Sequence, residues 1–377
     1  MKKLLLFFCF FILFSAVGAM QKNINQTVFD AVINEIAKNH YDGNFRQNYA
    51  QKIKKFRQIA LKSVNNQTLA GTINKFLREL PDSHFGIIPP PDKNSARYVR
   101  LENSVKLLEI NGKVFVKSCS PDSKFKKGDE LLSVKNNNGD KFSRIGRAMQ
   151  FNSLLTFNAT DEEMPITVRR NGRIVKFNVT PKRAEKIPPM FKLGEIPPVE
   201  EDYESAFLKP DTAYVCFSAF TPHALQSLKK DIRTKFKNTP NMVIDLRSNV
   251  GGLLMIGVNM ASFLCDKKVD FGTMVIANQP LTPKSYPQKN CFKGKITILI
   301  GRNSYSTAEI FALAMHEANA AVLVGERTSG MCLPSVFIRL PHNFRLQTVV
   351  GDYRSSKNYR IEGKGVLPAH KTATPTH

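Results

Sequence analysis

Three stretches of this 377-residue chain carry the residue types of acyl-transfer chemistry. The first surrounds Ser306. Lys295 to Ile300 is a short apolar run rich in β-branched residues. A polar turn, Gly301 to Thr307, follows it, and Ile310, Phe311, Leu313, Ala314 and Ala318 then recur at helical spacing. A strand, a tight turn and a helix can lift a serine hydroxyl to the end of a sheet and aim backbone N–H groups at an anion. Serine is a poor nucleophile until a base takes its proton and donors hold the resulting oxyanion. Two readings stand side by side. Ser306 is a nucleophile with the Thr307 N–H beside it, or it is a helix cap, with Ser304 and Thr307 as rival caps.

The second stretch is Val243-Ile244-Asp245-Leu246-Arg247-Ser248-Asn249-Val250-Gly251-Gly252, an apolar strand entering a polar loop that ends in a glycine pair. Glycines let a backbone approach a ligand closely, and N–H groups of Gly251 and Gly252 at a helix start can hold an oxyanion. The plainer reading is a tight strand-to-helix turn closed by an Asp245–Arg247 pair. In an α/β sheet both loops fall at the carboxyl ends of strands, where ligands bind.

The third requirement is a base. Seven histidines are present. His316 lies ten residues along the same helix as Ser306, about 15 Å away at ~1.5 Å per residue, and is set aside. His40, His223 and His377 have ordinary surroundings. His84, His342 and His370 remain, and His84 stands out because Asp82 and Ser83 precede it in a loop closed by Pro89 to Pro91. Glu362, flanked by Ile361 and Gly363, is a carboxylate that can sit against an imidazole or hydroxyl network. The spacing contains no zinc framework, and no metal or organic cofactor is needed for this chemistry.

These residues need elements to position them. Lys2 and Lys3, the apolar run Leu4 to Phe14, and the small residues Val17 and Ala19 form a secretory signal pattern over 1–19, too short to span a bilayer. The mature protein is therefore expected to be exported, to a periplasm or beyond. Residues 20–96 read as an N-terminal helical region, with amphipathic patterns at Thr27–Asn39, Asn48–Val64 and Thr68–Leu80, ending in the Asp82-Ser83-His84 loop. Residues 97–185 carry short alternating strands at Val105–Ile110, Lys113–Lys117, Ile166–Arg169 and Val175–Val179, the last two joined at Asn171-Gly172, with a short helix at Arg144–Leu155. Residues 186–210 contain the proline-rich stretch Pro188 to Pro198 and read as a linker. From 211 to 377 strands (Tyr214–Phe217, Met242–Leu246, Lys295–Ile300, Val322–Gly325) alternate with helices (His223–Phe236, Leu253–Leu264), the pattern of an α/β layer with mostly parallel strands.

Formal net charge is +24, while the hydrophobic share of 42% and charged share of 23% are ordinary for a globular chain. Lys and Arg are scattered, which reads as a solvated basic surface with weak attraction to anionic envelope polymers or headgroups. Without basic–aromatic interleaving, nucleic acid is not an expected partner. Cys119, Cys216, Cys265, Cys291 and Cys332 remain after the signal, an odd number. Cys265 and Cys291 flank one segment and could bridge, but buried apolar roles are the better reading.

Together these residues resemble the tail-specific (C-terminal processing) and tricorn-like serine peptidases. Asp245 to Gly252 is similar to their D-L-R-x-N-x-G-G signature, and Ser304 to Glu309 to their S-x-S-x-S/A-E nucleophile turn. Val324 to Gly330 resembles V-G-E-x-T-x-G, Glu362 to Pro368 resembles E-x-x-G-V-x-P, and Leu80 to His84 resembles L-x-D-x-H. The motifs lie in family order over nearly the whole mature chain. The resemblance implies an α/β fold with a crotonase-like (ClpP/crotonase) catalytic core, an N-terminal helical bundle and an inserted β-rich PDZ-like domain around Lys127 to Val134. The glycine-rich carboxylate-binding loop usual in that domain is not visible at Glu102–Leu107. Two further departures are Ala369, where an acidic residue is usual, and Met331. Tail-specific members carry a lysine just after the T-x-G step, where this chain has Met331. The tricorn-like Ser–His–Glu arrangement is matched by Ser306, His84 and Glu362, with Ser83 beside the histidine. The implied activity is hydrolysis of protein or peptide substrates through an acyl-enzyme, with Gly251, Gly252 and Thr307 around the oxyanion. A non-catalytic scaffold or apolar-ligand binder of the same fold is the alternative.

Overall fold

The computed structural model describes residues 2–90, 99–100, 105–139, 147–158, 163–180, 190–192, 199–276 and 279–371. Its centre is a six-stranded sheet in the order Tyr203–Lys209, Thr212–Phe217, Asn241–Asp245, Lys295–Ile300, Val322–Gly325, His370–Lys371. The first pair is antiparallel and the rest are parallel. Ile296, Ile298 and Ile300 alternate into the core from the strand that leads to Ser306, as a period of two requires. Helices Pro222–Arg233, Leu254–Leu264 and Thr307–Glu317 alternate with these strands along the chain and share their apolar core. The Thr307–Glu317 helix is buried without interruption from Thr307 to Met315. A helix apolar on every face belongs inside a core, so Ser306 stands on a rigid platform.

A second core joins the two ends of the chain. Val28, Phe29, Ile73 and Phe76 from the helices Lys2–Asn39 and Asn66–Arg78 pack with Leu340, Phe344 and Leu346. The strand Gly86–Ile88 pairs antiparallel with Arg345–Val349, which pairs in turn with Ser335–Arg339. Asn74 fixes that strand from the helix side, since its amide accepts from the Ile87 N–H at 2.9 Å and donates to the Ile87 carbonyl at 3.0 Å. The segment 80–88 is thereby held at both ends. Helical patterning at Thr68–Leu80 corresponds to Asn66–Arg78, started by Asn65 accepting from the Thr68 N–H at 2.8 Å. The periodic stretch at Thr27–Asn39 is the end of the longer helix Lys2–Asn39. Among the described residues no helix is long and apolar enough to cross a membrane.

A third core lies under a five-stranded antiparallel sheet, ordered Val105–Ile110, Lys113–Cys119, Glu130–Val134, Met164–Arg170, Arg173–Val179, with the helix Arg147–Thr156 against it. Asn171 and Gly172 both take positive φ (48° and 77°), as a two-residue hairpin turn demands.

The expected linker needs correction. Residues 203–209 of the 186–210 stretch are the edge strand of the central sheet. Tyr203 packs against that core and donates its hydroxyl to Asp231 at 2.9 Å, so the sheet begins upstream of residue 211. Residues 181–189 and 193–198 of the proline-rich region, and 102–104 of the Glu102–Leu107 loop, lie outside the described residues. Of the two readings of Cys265 and Cys291, the structure has the preferred, unbridged one: both are free, Cys265 buried and Cys291 half-buried. The Cys265 thiol is instead turned toward the carbonyls of Ala261 (3.7 Å) and Lys267 (3.6 Å).

Candidate active site

The turn after Ile300 is stitched to the Asp245–Gly252 loop. Ser304, fully buried, donates its hydroxyl to the Leu246 carbonyl at 2.7 Å, and the Tyr305 N–H donates to the Asn249 carbonyl at 3.0 Å. Ser306 then adopts φ 53°, ψ −120°. A helix N-cap is normally extended, so this backbone is not that of an ordinary cap; it is a strained conformation of the kind concentrated at reactive positions. The Ser306 N–H donates to the Met331 carbonyl at 2.8 Å and lies 3.2 Å from Glu309 Oε2.

Gly251 explains how the two loops approach. At φ +90° it sits so close that a Cβ there would lie 2.7 Å from Ser306 Cβ and 2.8 Å from the Tyr305 carbonyl oxygen. Only glycine fits both the angle and the gap. Its N–H donates to Asn249 Oδ1 at 2.9 Å, so this expected oxyanion donor is already engaged. Gly252 and Thr307 both line the cavity beside Ser306. The Thr307 hydroxyl donates to the Gly252 carbonyl at 2.7 Å, fixing the helix start against the glycine loop. Asp245 and Arg247 form the bidentate pair of the plainer reading, at 2.9 and 2.7 Å.

Ser83, His84 and Glu362, separated by 279 residues, meet in one hydrogen-bonded chain. Ser83 Oγ lies 2.7 Å from His84 Nδ1 and 2.9 Å from Glu362 Oε2, and the Ser83 N–H donates to Glu362 Oε1 at 2.7 Å. The Cys332 N–H donates to Glu362 Oε2 at 2.9 Å. Ser83 has a single hydroxyl proton. With that proton given to the Glu362 carboxylate, Oγ can only accept from His84, which puts the ring proton on Nδ1 and leaves Nε2 a free base. Burial pushes the His84 imidazole down from 6.5 to about 4, so it is neutral at neutral pH. Asp82 turns the other way, accepting from Tyr41 (2.7 Å) and meeting His40 Nε2 (3.1 Å).

Ser306 and His84 line the same cavity of about 670 Å³, walled by apolar side chains that include Phe220, Leu254, Ile276, Ile310 and Val336. The alternative bases do not reach it. His370 is on an exposed edge strand and His342 is on a short exposed 3-10 turn.

Two contributors escaped sequence reasoning. Glu309, fully buried, accepts from Thr328 Oγ1 (2.5 Å), Gly330 N (2.8 Å), Met331 N (2.9 Å) and Ser329 Oγ (3.1 Å), tying the Ser306 turn to the loop after Val324. Its signals were a carboxylate three residues after the serine and its place closing the Ser304–Glu309 motif, neither of which says what it holds. Phe191, within the stretch read as a linker, forms part of the cavity wall, and nothing in its local sequence marks it. Among the described residues no group of three or more His, Cys, Asp or Glu is arranged to hold a metal ion.

Residues 211–372 match the family model described as Peptidase family S41. A carboxyl-terminal-processing protease of Picosynechococcus sp. is 26% identical over 41% of this chain and 37% of its own length. A probable CtpA-like serine protease of Staphylococcus haemolyticus is 25% identical over 58% of this chain and 44% of its own. The chain thus spans less than half the length of these curated relatives. Among solved structures, the photosystem II D1 C-terminal processing protease covers 92% of this chain with a TM-score of 0.57 at 17% identity, and 93% of that protease is matched. Mature CPAF complexed with lactacystin covers 91% with a TM-score of 0.60 at 13% identity, over 94% of that chain. At these identities the likeness is one of fold.

Proposed function

We propose that this chain, whose residues 211–372 match the model of peptidase family S41, is an exported serine endopeptidase acting through an acyl-enzyme on Ser306. The observation that carries the reading is the Glu362–Ser83–His84 hydrogen-bonded chain, which ends in the cavity that Ser306 also lines. His84 Nε2 takes the Ser306 proton as Oγ attacks a peptide carbonyl. The N–H groups of Gly252 and Thr307 hold the oxyanion, with Gly251 keeping the glycine loop against the serine. His84 then gives the proton to the leaving amine, and water, deprotonated by the same imidazole, releases the acyl group. Ser83 and Glu362 position the ring and stabilise the imidazolium. Met331 stands where a lysine base would be, so histidine is the only base this arrangement supports.

In this reading the central sheet and its helices are the crotonase-like catalytic core, 211–377 with the added strand from 203, and 20–96 is the helical region that delivers the histidine. The five-stranded sheet within 97–185 is the inserted PDZ-like domain, and residues 1–19 are a signal removed after Ala19. The substrate is a protein or peptide with apolar side chains for the cavity, and the basic surface gives weak contact with an anionic envelope. A serine-directed fluorophosphonate tests the core of this. Wild type should be labelled, while Ser306→Ala and His84→Ala should not. A folded wild type that resists labelling would sink the enzyme reading in favour of a non-catalytic binder of apolar ligands.

A further inference from the structure

At the end of the central sheet opposite Ser306, a second cavity opens where two parallel strands begin. Lys295 starts the strand whose far end leads to the nucleophile turn, and Pro240 immediately precedes its neighbour Asn241–Asp245. The six residues of that strand separate the two cavities by about 20 Å at ~3.3 Å per residue. This cavity has a volume of about 840 Å³. Its floor includes the buried Ile232 and Phe292, and Arg233, Lys237, Lys289, Lys293 and Lys295 surround them. No Asp or Glu is in the lining, although the chain has 31 acidic residues to its 55 basic ones. None of the five cations pairs with a carboxylate among the described residues.

Two bland explanations fall short. Cations near a helix C-terminus complement its dipole, but only Arg233 lies in the last turn of Pro222–Arg233. A scattered basic surface would not hold its charges in fixed relation, whereas this loop is fastened along its length. Gln288 N–H donates to the Ser262 carbonyl and Phe292 N–H to the Phe263 carbonyl, both at 2.8 Å, and Lys295 N–H donates to the Pro240 carbonyl at 2.9 Å. Gly294 is pressed against Pro240 so closely that a Cβ would lie 2.3 Å from its carbonyl oxygen. The backbone that carries Lys289, Lys293 and Lys295 is therefore set before any ligand arrives, which lowers the ordering cost of binding.

We propose that this cleft binds a compact, phosphate-bearing anion. Four of the five cations are lysines, point charges suited to phosphate oxygens rather than the planar forks that grip a carboxylate in two places. Asn238, Thr239 and Asn290 add polar groups, and the aromatic ring of Phe292 is buried, leaving no face on which a nucleobase would stack. The recognised chemistry is the phosphate group itself, from a free polyphosphate or the headgroup of an anionic lipid.

The test is calorimetric titration of the purified full chain with inorganic tripolyphosphate, with co-sedimentation on phosphatidylglycerol and phosphatidylcholine vesicles. Saturable tripolyphosphate binding that weakens with salt is expected. The Lys237→Glu/Lys293→Glu variant should lose about tenfold or more in affinity. Lys54→Glu/Lys62→Glu, which changes net charge equally on the N-terminal helical region, should stay within about twofold of wild type. Ser306→Ala should bind as wild type does. Phosphatidylglycerol binding lost in the cleft variant alone identifies a lipid headgroup, and tripolyphosphate binding without vesicle binding identifies a free anion. Equal losses in the two charge-reversed variants would reveal diffuse surface charge and overturn the proposal, as would no tripolyphosphate binding by the wild type.

Discussion

His84 is held with φ 61° between a helix and a strand, and its ring is pushed down to about 4 by burial. The acid limb of kcat/KM reports the ionisation of the free enzyme's base. That limb should therefore fall near pH 4 rather than near the ordinary 6.5 of histidine, leaving hydrolysis at pH 5.5 close to its plateau. A midpoint at 6 or above would show that another group is the base. In the proposed mechanism the Ser83–Glu362 contacts act through the ring. Ser83→Ala should lower kcat by roughly 10- to 100-fold with little change in KM, and its acid limb should shift, which a purely structural defect would not produce. Stability carries a second signature. Between pH 4 and 6.5 the unfolded imidazole holds the proton that the folded one refuses, so His84 makes stability fall as pH is lowered through that window. Glu309, pushed up from 4.5 to about 7 by burial against the pull of its donors, makes stability fall as pH rises from 4.5 to 7. The two slopes oppose each other. His84→Ala should therefore raise Tm at pH 5 relative to pH 6.5 more than wild type shows, as read by calorimetry.

At the scale of elements, the site depends on two loops pressed together without room for a methyl group. Gly251→Ala should strain the loop by about 1–3 kcal/mol and displace the Ser306 turn. We expect a Tm lowered by several degrees and kcat reduced by about two orders of magnitude or more, since misplacement of about 1 Å costs roughly that. Retention of full activity would mean that the glycine contact does not set the nucleophile. Glu309→Gln tests the other side of the same turn. An amide NH2 would face groups that now donate to a carboxylate, and the mismatch should cost about 1–3 kcal/mol in a denaturant titration. The Thr307–Glu317 helix is apolar enough to be recognised as buried, but Glu309 inside it reads locally as a first-turn acid favoured by the dipole. Only the loop returning through Thr328 to Met331 supplies its donors.

At the scale of the molecule, three apolar cores are joined by polar contacts. One lies close to Ser306. Glu109, from the five-stranded sheet, accepts from Asn303 Nδ2 at 3.3 Å within the Ser306 turn and from the Ala148 N–H at 3.0 Å at the start of the Arg147–Thr156 helix. Lys106 pairs with Glu204, and Lys117 donates to the Tyr214 hydroxyl at 3.2 Å on the edge of the central sheet. A double-mutant cycle on Glu109→Gln and Asn303→Ala should give a coupling of about 0.5–3 kcal/mol in stability. Additive effects would mean that the sheet is merely adjacent to the turn. The core shared by the Lys2–Asn39 helix and the Arg345–Val349 strand has the same character, in that neither segment carries any mark of the other.

What the sequence determined by itself was local. β-branched runs, helical periodicity and the Asn171-Gly172 turn mark the elements because period and φ are properties of short stretches. The motifs around Ser306, Gly251-Gly252, His84 and Glu362 could be named because residue type limits chemistry. The linker ending at 210 was misjudged because edge pairing of Tyr203–Lys209 depends on a partner strand, not on proline content. Ser306 as cap or nucleophile was open in sequence, since both occupy a strand–turn–helix junction. Tertiary structure alone supplied the facts that bear on the choice: the backbone angles at Ser306, the gap filled by Gly251, and the meeting of Ser83 with a carboxylate 279 residues away. Those facts depend on which distant surfaces pack together, and packing is a property of the whole chain.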